Sequence, residues 1–150
     1  MFDLHNLYQE VIIDHNQRPR NCRLMPDADG QARGYNPLCG DQVTVYLKLD
    51  DDVILDASFQ GCGCAISTAS ASLMTEFLKG KSLQEAQEMF GLFHHALLDK
   101  KSGPIQNLGK LEALLGVKEF PSRVKCATLA WHALHDIIKK HITEACDAIE

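Results

Sequence analysis

Hydrophobic positions recur along the chain with two different periods, and the changes between them divide it into elements. Phe2, Leu4, Leu7, Tyr8, Val11 and Ile12 fall at helical spacing behind Asp3 as N-cap, which predicts an amphipathic helix over residues 3–15 ending before Arg18-Pro19-Arg20. Residues 16–40 carry Pro19, Pro26, Pro37, Gly30, Gly34 and Gly40, a loop-rich stretch with room for one short strand near Arg23–Met25. From Val43 the period becomes two. Val43, Val45, Leu47 and Leu49 alternate with polar residues, and after Asp50-Asp51-Asp52 the alternation returns at Val53, Leu55, Ala57 and Phe59, which predicts a β-hairpin.

Helical spacing resumes beyond Cys64. The small residues from Ala65 to Ser72 open a helix that continues to Lys79 and stops at Gly80, suited to close packing on the sheet. Ser82-Leu83-Gln84-Glu85 is a capping box, with Leu83, Ala86, Met89, Phe90, Phe93 and Leu97 as the apolar face of the helix behind it. Lys100–Pro104 breaks that helix, and a short helical piece over Leu108–Leu115 ends at Gly116. Phe120-Pro121-Ser122 then introduces a long helix bearing Val124, Ala127, Trp131, Leu134, Ile138 and Ile142, with Cys126 expected in its first turn. No repeat or linker interrupts this order. The pattern predicts one α+β domain over residues 1–150, a small antiparallel sheet of about three strands packed against several α-helices.

Composition changes the picture in one respect. A chain of 150 residues, 45% of them hydrophobic, buries enough surface to fold without disulfides or metal, so a metal site here would serve chemistry. The formal charge of −5 and the lack of a Lys/Arg block argue against a nucleic-acid partner. No apolar run approaches the ~18 residues of a membrane span, and Met-Phe-Asp-Leu-His-Asn does not read as a signal peptide, so a cytoplasmic protein without a membrane partner is expected. In that compartment thiols stay reduced. The six cysteines, Cys22, Cys39, Cys62, Cys64, Cys126 and Cys146, therefore point to metal or sulfur chemistry rather than to disulfides.

An antiparallel hairpin brings Cys39-Gly40-Asp41 and Gly61-Cys62-Gly63-Cys64 to the same end of the sheet. With Cys126, three segments could supply thiolates and a carboxylate, a set acceptable to zinc and to iron–sulfur chemistry. The spacings match no generic zinc pattern, since Cys62-x-Cys64 is tighter than a C-x-x-C knuckle. Helix N-termini at Cys64 and Cys126 would favour their thiolates. Three thiolates and a carboxylate leave a divalent ion over-compensated, and Arg123 and Lys125, flanking Cys126, are the nearest cations in sequence.

Asn36-Pro37-Leu38-Cys39-Gly40-Asp41, Gly61-Cys62-Gly63-Cys64-Ala65-Ile66-Ser67 and Arg123-Val124-Lys125-Cys126-Ala127-Thr128-Leu129-Ala130-Trp131 resemble the three cysteine motifs of the U-type iron–sulfur cluster assembly proteins, IscU and SufU. The opening Tyr8-x-x-Val11-Ile12-x-Asp14-His15 helix extends the likeness over nearly the whole chain. Two features look closer to the SufU branch: a longer stretch between the second and third motifs, about residues 88–108, and Lys125 where IscU-type proteins carry histidine. The resemblance implies tightly bound Zn2+ held by Cys39, Asp41, Cys64 and Cys126, with Cys39 as acceptor of persulfide sulfur from a cysteine desulfurase of the SufS or IscS type. Such a protein works with its desulfurase rather than as a stand-alone enzyme. Cys39, kept deprotonated and shielded by zinc, would be freed when the docking desulfurase takes over one coordination position.

The alternative implied by the same family is an IscU-type scaffold, on which iron and a transient [2Fe–2S] cluster are assembled and passed to downstream iron–sulfur acceptor proteins, with Asp41 as a weak, labile ligand. An ungapped IscU-type match puts the second cysteine at Cys62 and the SufU-type match puts it at Cys64, so Cys62 is the second-choice ligand. A structural zinc module and a Cys/His thiol hydrolase are competing classes, although no base or oxyanion hole is marked near Cys126. Plainer readings stand for other residues. Cys22 and Cys146 read as small buried hydrophobes, His94, His95, His132 and His135 as surface or boundary residues of amphipathic helices, and the Ser/Thr/Ala run at 65–72 as a helix-packing face.

Overall fold

The computed structural model describes residues 4–37, 40–98 and 108–149, with side chains left aside for 4–8, 118–119 and 143–149. The predicted cap Asp3, the Lys100–Pro104 break and the side chain of Cys146 lie outside what is described. In chain order the elements are α1 (Leu4–Gln17), β1 (Gly30–Asn36), β2 (Asp41–Asp50), β3 (Val53–Cys62), α2 (Ala65–Leu78), α3 (Leu83–Leu98), a 3₁₀ segment (Gly109–Glu119) and α4 (Pro121–Ile149). The strands form one antiparallel sheet in the order β1-β2-β3. Its inner face meets the helices in one hydrophobic core built on Val45, Leu47, Ile54, Phe59, Met74, Phe93, Trp131 and Leu134.

The hairpin forms where the alternation predicts it, with two corrections. The first strand of the sheet is Gly30–Asn36 and not Arg23–Met25; near the latter, only Cys22 makes a single bridge, to Phe59. Gly30, Ala32 and Gly34 face inward with too little apolar bulk to register as a hydrophobic alternation. The bulk is missing because α4 lies close: a Cβ on Gly30 would stand 2.6 Å from Ile137 Cγ2. The Cys22 side chain is exposed, contrary to its expected burial. In β3 the alternation breaks at Leu55. Lys48 pairs with Asp56 but Leu49 with Ile54, so Leu55 is bulged, Ile54 turns inward, and Val53 and Leu55 face solvent.

Helix ends follow their local signals. The capping box is made in both directions, Glu85 N–H to Ser82 Oγ at 3.0 Å and Ser82 N–H to Glu85 Oε1 at 3.2 Å. The predicted short helix is a 3₁₀ segment that runs through Gly116 to Glu119. α4 begins at Pro121, the favoured first helical position for proline, so Cys126 lies one turn deeper than expected. The small-residue face of α2 packs on α4. Ser70 Oγ donates to the Ala127 carbonyl and accepts the indole N–H of Trp131 at 3.2 Å, in the buried contact between the helices that carry Cys64 and Cys126. Among the described residues no helix is long and apolar enough to cross a membrane.

Candidate metal centre

Three elements meet at one end of the sheet. Asp41 opens β2 and is 1% exposed, Cys64 caps α2 and is half-buried, and Cys126 in α4 is fully buried. One potential ligand atom from each lies within 4.8 Å of the other two, and this is the one such group of three found among the described residues. Cys64 Sγ stands 3.6 Å from Asp41 Oδ2.

Local chain geometry explains why these residues meet. Asn36 and Asp41 face each other across the β1–β2 ladder, so residues 37–40 form a short connection, closed by the Gly40 N–H to the Asn36 carbonyl at 2.8 Å. Just past the end of β3, at the same end of the sheet, Gly63 lets the chain pass against the carboxylate. A Cβ there would sit 2.8 Å from Asp41 Oδ1, so the carboxylate would have to shift. The Cys64 N–H then reaches Asp41 Oδ1 at 2.8 Å, and the chain turns into α2.

Each of the three candidate ligands accepts an N–H. Asp41 accepts that of Cys64, and Cys64 Sγ accepts the backbone N–H of Ser67 at 3.4 Å, the N-cap contact that its place before α2 predicts. Cys126 is different. In the second turn of α4 it does not sit among the free N–H groups of a helix end; its Sγ lies 3.8 Å from the Ser122 carbonyl and accepts the side-chain amide of Asn36 at 3.8 Å. The helix-end assistance expected for Cys126 does not reach the second turn, where the Asn36 amide addresses its sulfur.

Cys39 lies outside the described residues. Cys62 ends β3 paired with Gln42, exposed, and does not join the group. Arg123 and Lys125 are exposed on the first turns of α4. His94, half-buried, and the exposed His132 and His135 surround the Phe90 ring at centroid distances of 5.2–5.8 Å, an aromatic contact between α3 and α4 in keeping with their boundary reading. Two polar residues escaped the sequence reading: Asn36, 5% exposed, and His15, 1% exposed. Asn36 was visible only as part of a motif, and no amphipathic pattern marks a single buried histidine.

Residues 7–127 match the family described as the NifU-like N terminal domain, a span that contains Asp41, Cys64 and Cys126. The chain belongs to this family. Among its relatives, the zinc-dependent sulfurtransferase SufU of Bacillus subtilis is 44% identical over 92% of this chain and 93% of its own. The iron–sulfur cluster assembly scaffold protein IscU of Streptococcus pyogenes is 39% identical over 94% of this chain and 91% of its own. In structure, the putative iron–sulfur cluster assembly scaffold protein for the SUF system from Fervidobacterium islandicum superposes with a TM-score of 0.82 at 37% identity, covering 91% of this chain and 99% of that one. The α+β architecture, with its three-stranded sheet, is thus that of the NifU-like N-terminal domains, and the family's chemistry is that of a metal ion or an iron–sulfur cluster.

Proposed function

We infer that this NifU-like domain is a zinc-binding sulfur acceptor of iron–sulfur cluster assembly, working with a cysteine desulfurase in the cytoplasm. The observation that carries this reading is the convergence of Asp41, Cys64 and Cys126 from three separate elements to within 4.8 Å. The donor set suits zinc. A tetrahedral ion with Zn–S of about 2.3 Å and Zn–O of about 2.0–2.2 Å holds its ligand atoms about 3.5–3.8 Å apart, and Cys64 Sγ and Asp41 Oδ2 are already 3.6 Å apart. Cys39 is the proposed fourth ligand; two residues from Asp41 in the chain, its Cα is tethered within about 7 Å of that residue's. Cys62, exposed and outside the cluster, stays second choice, and Arg123 and Lys125 supply charge at its rim. Bound there, zinc would keep the thiols ionised without redox chemistry of its own.

The protein residues then divide the work. The Cys39 thiolate attacks the outer sulfur of the desulfurase persulfide; the S–S bond breaks, Cys39 leaves as a persulfide, and the desulfurase cysteine departs as a thiolate. Buried Cys126 and half-buried Cys64 hold the site together while this happens. The 44% identity to a zinc-dependent sulfurtransferase supports this reading. The second reading, assembly of a [2Fe–2S] cluster on the same residues, is supported by the 39% identity to a scaffold protein.

The two are separated by one experiment. Freshly purified protein is assayed for zinc, iron and acid-labile sulfide, then mixed with a cysteine desulfurase and isotopically labelled cysteine. Sulfur transfer predicts one tightly held zinc and labelled persulfide on Cys39, lost in Cys39→Ala. Iron and sulfide in place of zinc, with no labelled persulfide, would establish the scaffold instead, with delivery to downstream iron–sulfur acceptor proteins.

A further inference from the structure

We propose that Asn36 is the positioning residue of this centre: its side-chain amide addresses the Cys126 sulfur, fixing its direction and reducing its electron donation to a bound metal. The proposal rests on the metal-site reading above and adds to it a residue outside the ligand set. Asn36 is the last residue of β1, 5% exposed, and its Nδ2 donates to Cys126 Sγ across 3.8 Å. Its backbone carbonyl accepts Gly40 N–H at 2.8 Å, and it stands opposite Asp41 in the ladder. One residue thus holds Gly40 through its backbone and the sulfur of a distant helix through its side chain.

The contrast with the other two ligands gives the contact its meaning. Asp41 and Cys64 receive backbone N–H groups, which any residue but proline at those positions would supply. Cys126, displaced into the second turn of α4, receives the side-chain amide of Asn36. An N–H aimed at a thiolate withdraws charge from the sulfur, and such outer contacts orient the ligand and tune the metal. The consequence is a division among the cysteines, with Cys126 as a quiet, oriented anchor and the exchangeable position left elsewhere in the site.

Cobalt(II) is the probe, because its thiolate charge-transfer band reports electron donation by sulfur. Full-length protein and its Asn36→Leu and Asn36→Ala variants are titrated with cobalt and, in competition with a chelator, with zinc, and the metal-free forms are melted. We expect the variants to melt as folded proteins, to bind either metal about ten- to a hundredfold more weakly, and to shift the cobalt band to longer wavelength. The two variants differ in bulk, so that if one fails to fold the other answers. A folded variant with an unshifted band overturns the positioning role, whether or not affinity falls, because weakened binding alone gives no sign that the amide acts on the sulfur. Wild-type protein that takes up no cobalt overturns the metal-site reading and this inference with it, whereas loaded wild type beside an unshifted variant overturns this inference alone.

Discussion

The carboxylate of Asp41 accepts the backbone N–H of Cys64 at 2.8 Å, so the first residue of β2 and the residue capping α2 share one corner of the molecule. That contact depends on Gly63, whose missing Cβ leaves the carboxylate its place 2.8 Å from where a methyl would stand. Gly63→Ala should push Asp41 out of line with both cysteines. We expect a stability loss of about 1–3 kcal/mol by thermal melting, together with at least a tenfold, about 1.4 kcal/mol, loss of zinc affinity by chelator competition. Undiminished zinc binding in this variant would mean that Asp41 takes no part in holding the ion.

Asp41 also sets an opposition between stability with and without metal. It is 1% exposed, and the neighbouring Cys64 and Cys126 sulfurs bring no positive charge to it. Withdrawing a carboxylate from water carries a cost that a divalent ion would offset. Asp41→Asn keeps an oxygen to accept the Cys64 N–H and removes the charge. Its metal-free form should melt higher than metal-free wild type, while its gain on adding zinc should be smaller. Calorimetry of both proteins with and without zinc checks this; equal zinc-induced gains would remove Asp41 from the ligand set.

Most of this site was legible in the sequence because its residues sit beside turns and caps that have strong local signals. The hairpin alternation from Val43 to Phe59 and the stretch of small residues after Cys64 suffice to bring Asp41 and Cys64 together. What stayed hidden depends on packing between distant elements. β1 was invisible because Gly30 and Gly34 make room for α4 instead of adding apolar surface. The bulge at Leu55, which reverses the faces of Ile54 and Leu55, has no marker in an alternating run. The Asn36 amide on Cys126 spans ninety positions along the chain, and no periodicity encodes such a pair.

His15 should make stability fall in mild acid. Its Nδ1 lies 2.7 Å from Ser72 Oγ, which accepts the Arg20 N–H at 2.8 Å and so has its own proton to give to Nδ1. Nε2 is 3.4 Å from Glu76 Oε1. Burial first, then the nearby Arg20 and Lys110, hold the imidazole below its ordinary value of 6.5, against the opposing pull of Glu76 and Asp14. A base with a depressed folded-state pKa binds its proton more readily when unfolded. Stability is therefore complete above the unfolded value of 6.5 and declines as pH falls below it, by at most about 1.4 kcal/mol per pH unit for one proton. Melting curves between pH 7.5 and 5.5 should show a steeper decline in wild type than in His15→Asn. Parallel curves would place the acid sensitivity elsewhere.

Ser70 joins the two helices that carry the cysteines, and its loss should be felt at the metal as well as in the core. Its hydroxyl donates to the Ala127 carbonyl and accepts the Trp131 indole N–H, one residue past Cys126 and five residues past it along α4. Ser70→Ala leaves the buried indole N–H of Trp131 without its acceptor, a loss of about 1–3 kcal/mol, while the Ala127 carbonyl keeps its bond within α4. For a chain of this size each kcal/mol lowers the melting midpoint by about 2–4 °C. Because Cys64 and Cys126 are set by α2 and α4, zinc affinity should decline alongside, and the emission of Trp131, the single tryptophan, should change as its indole loses its acceptor. An unchanged midpoint with unchanged emission would show that the indole finds a new partner and that the spacing of α2 and α4 does not depend on this hydroxyl.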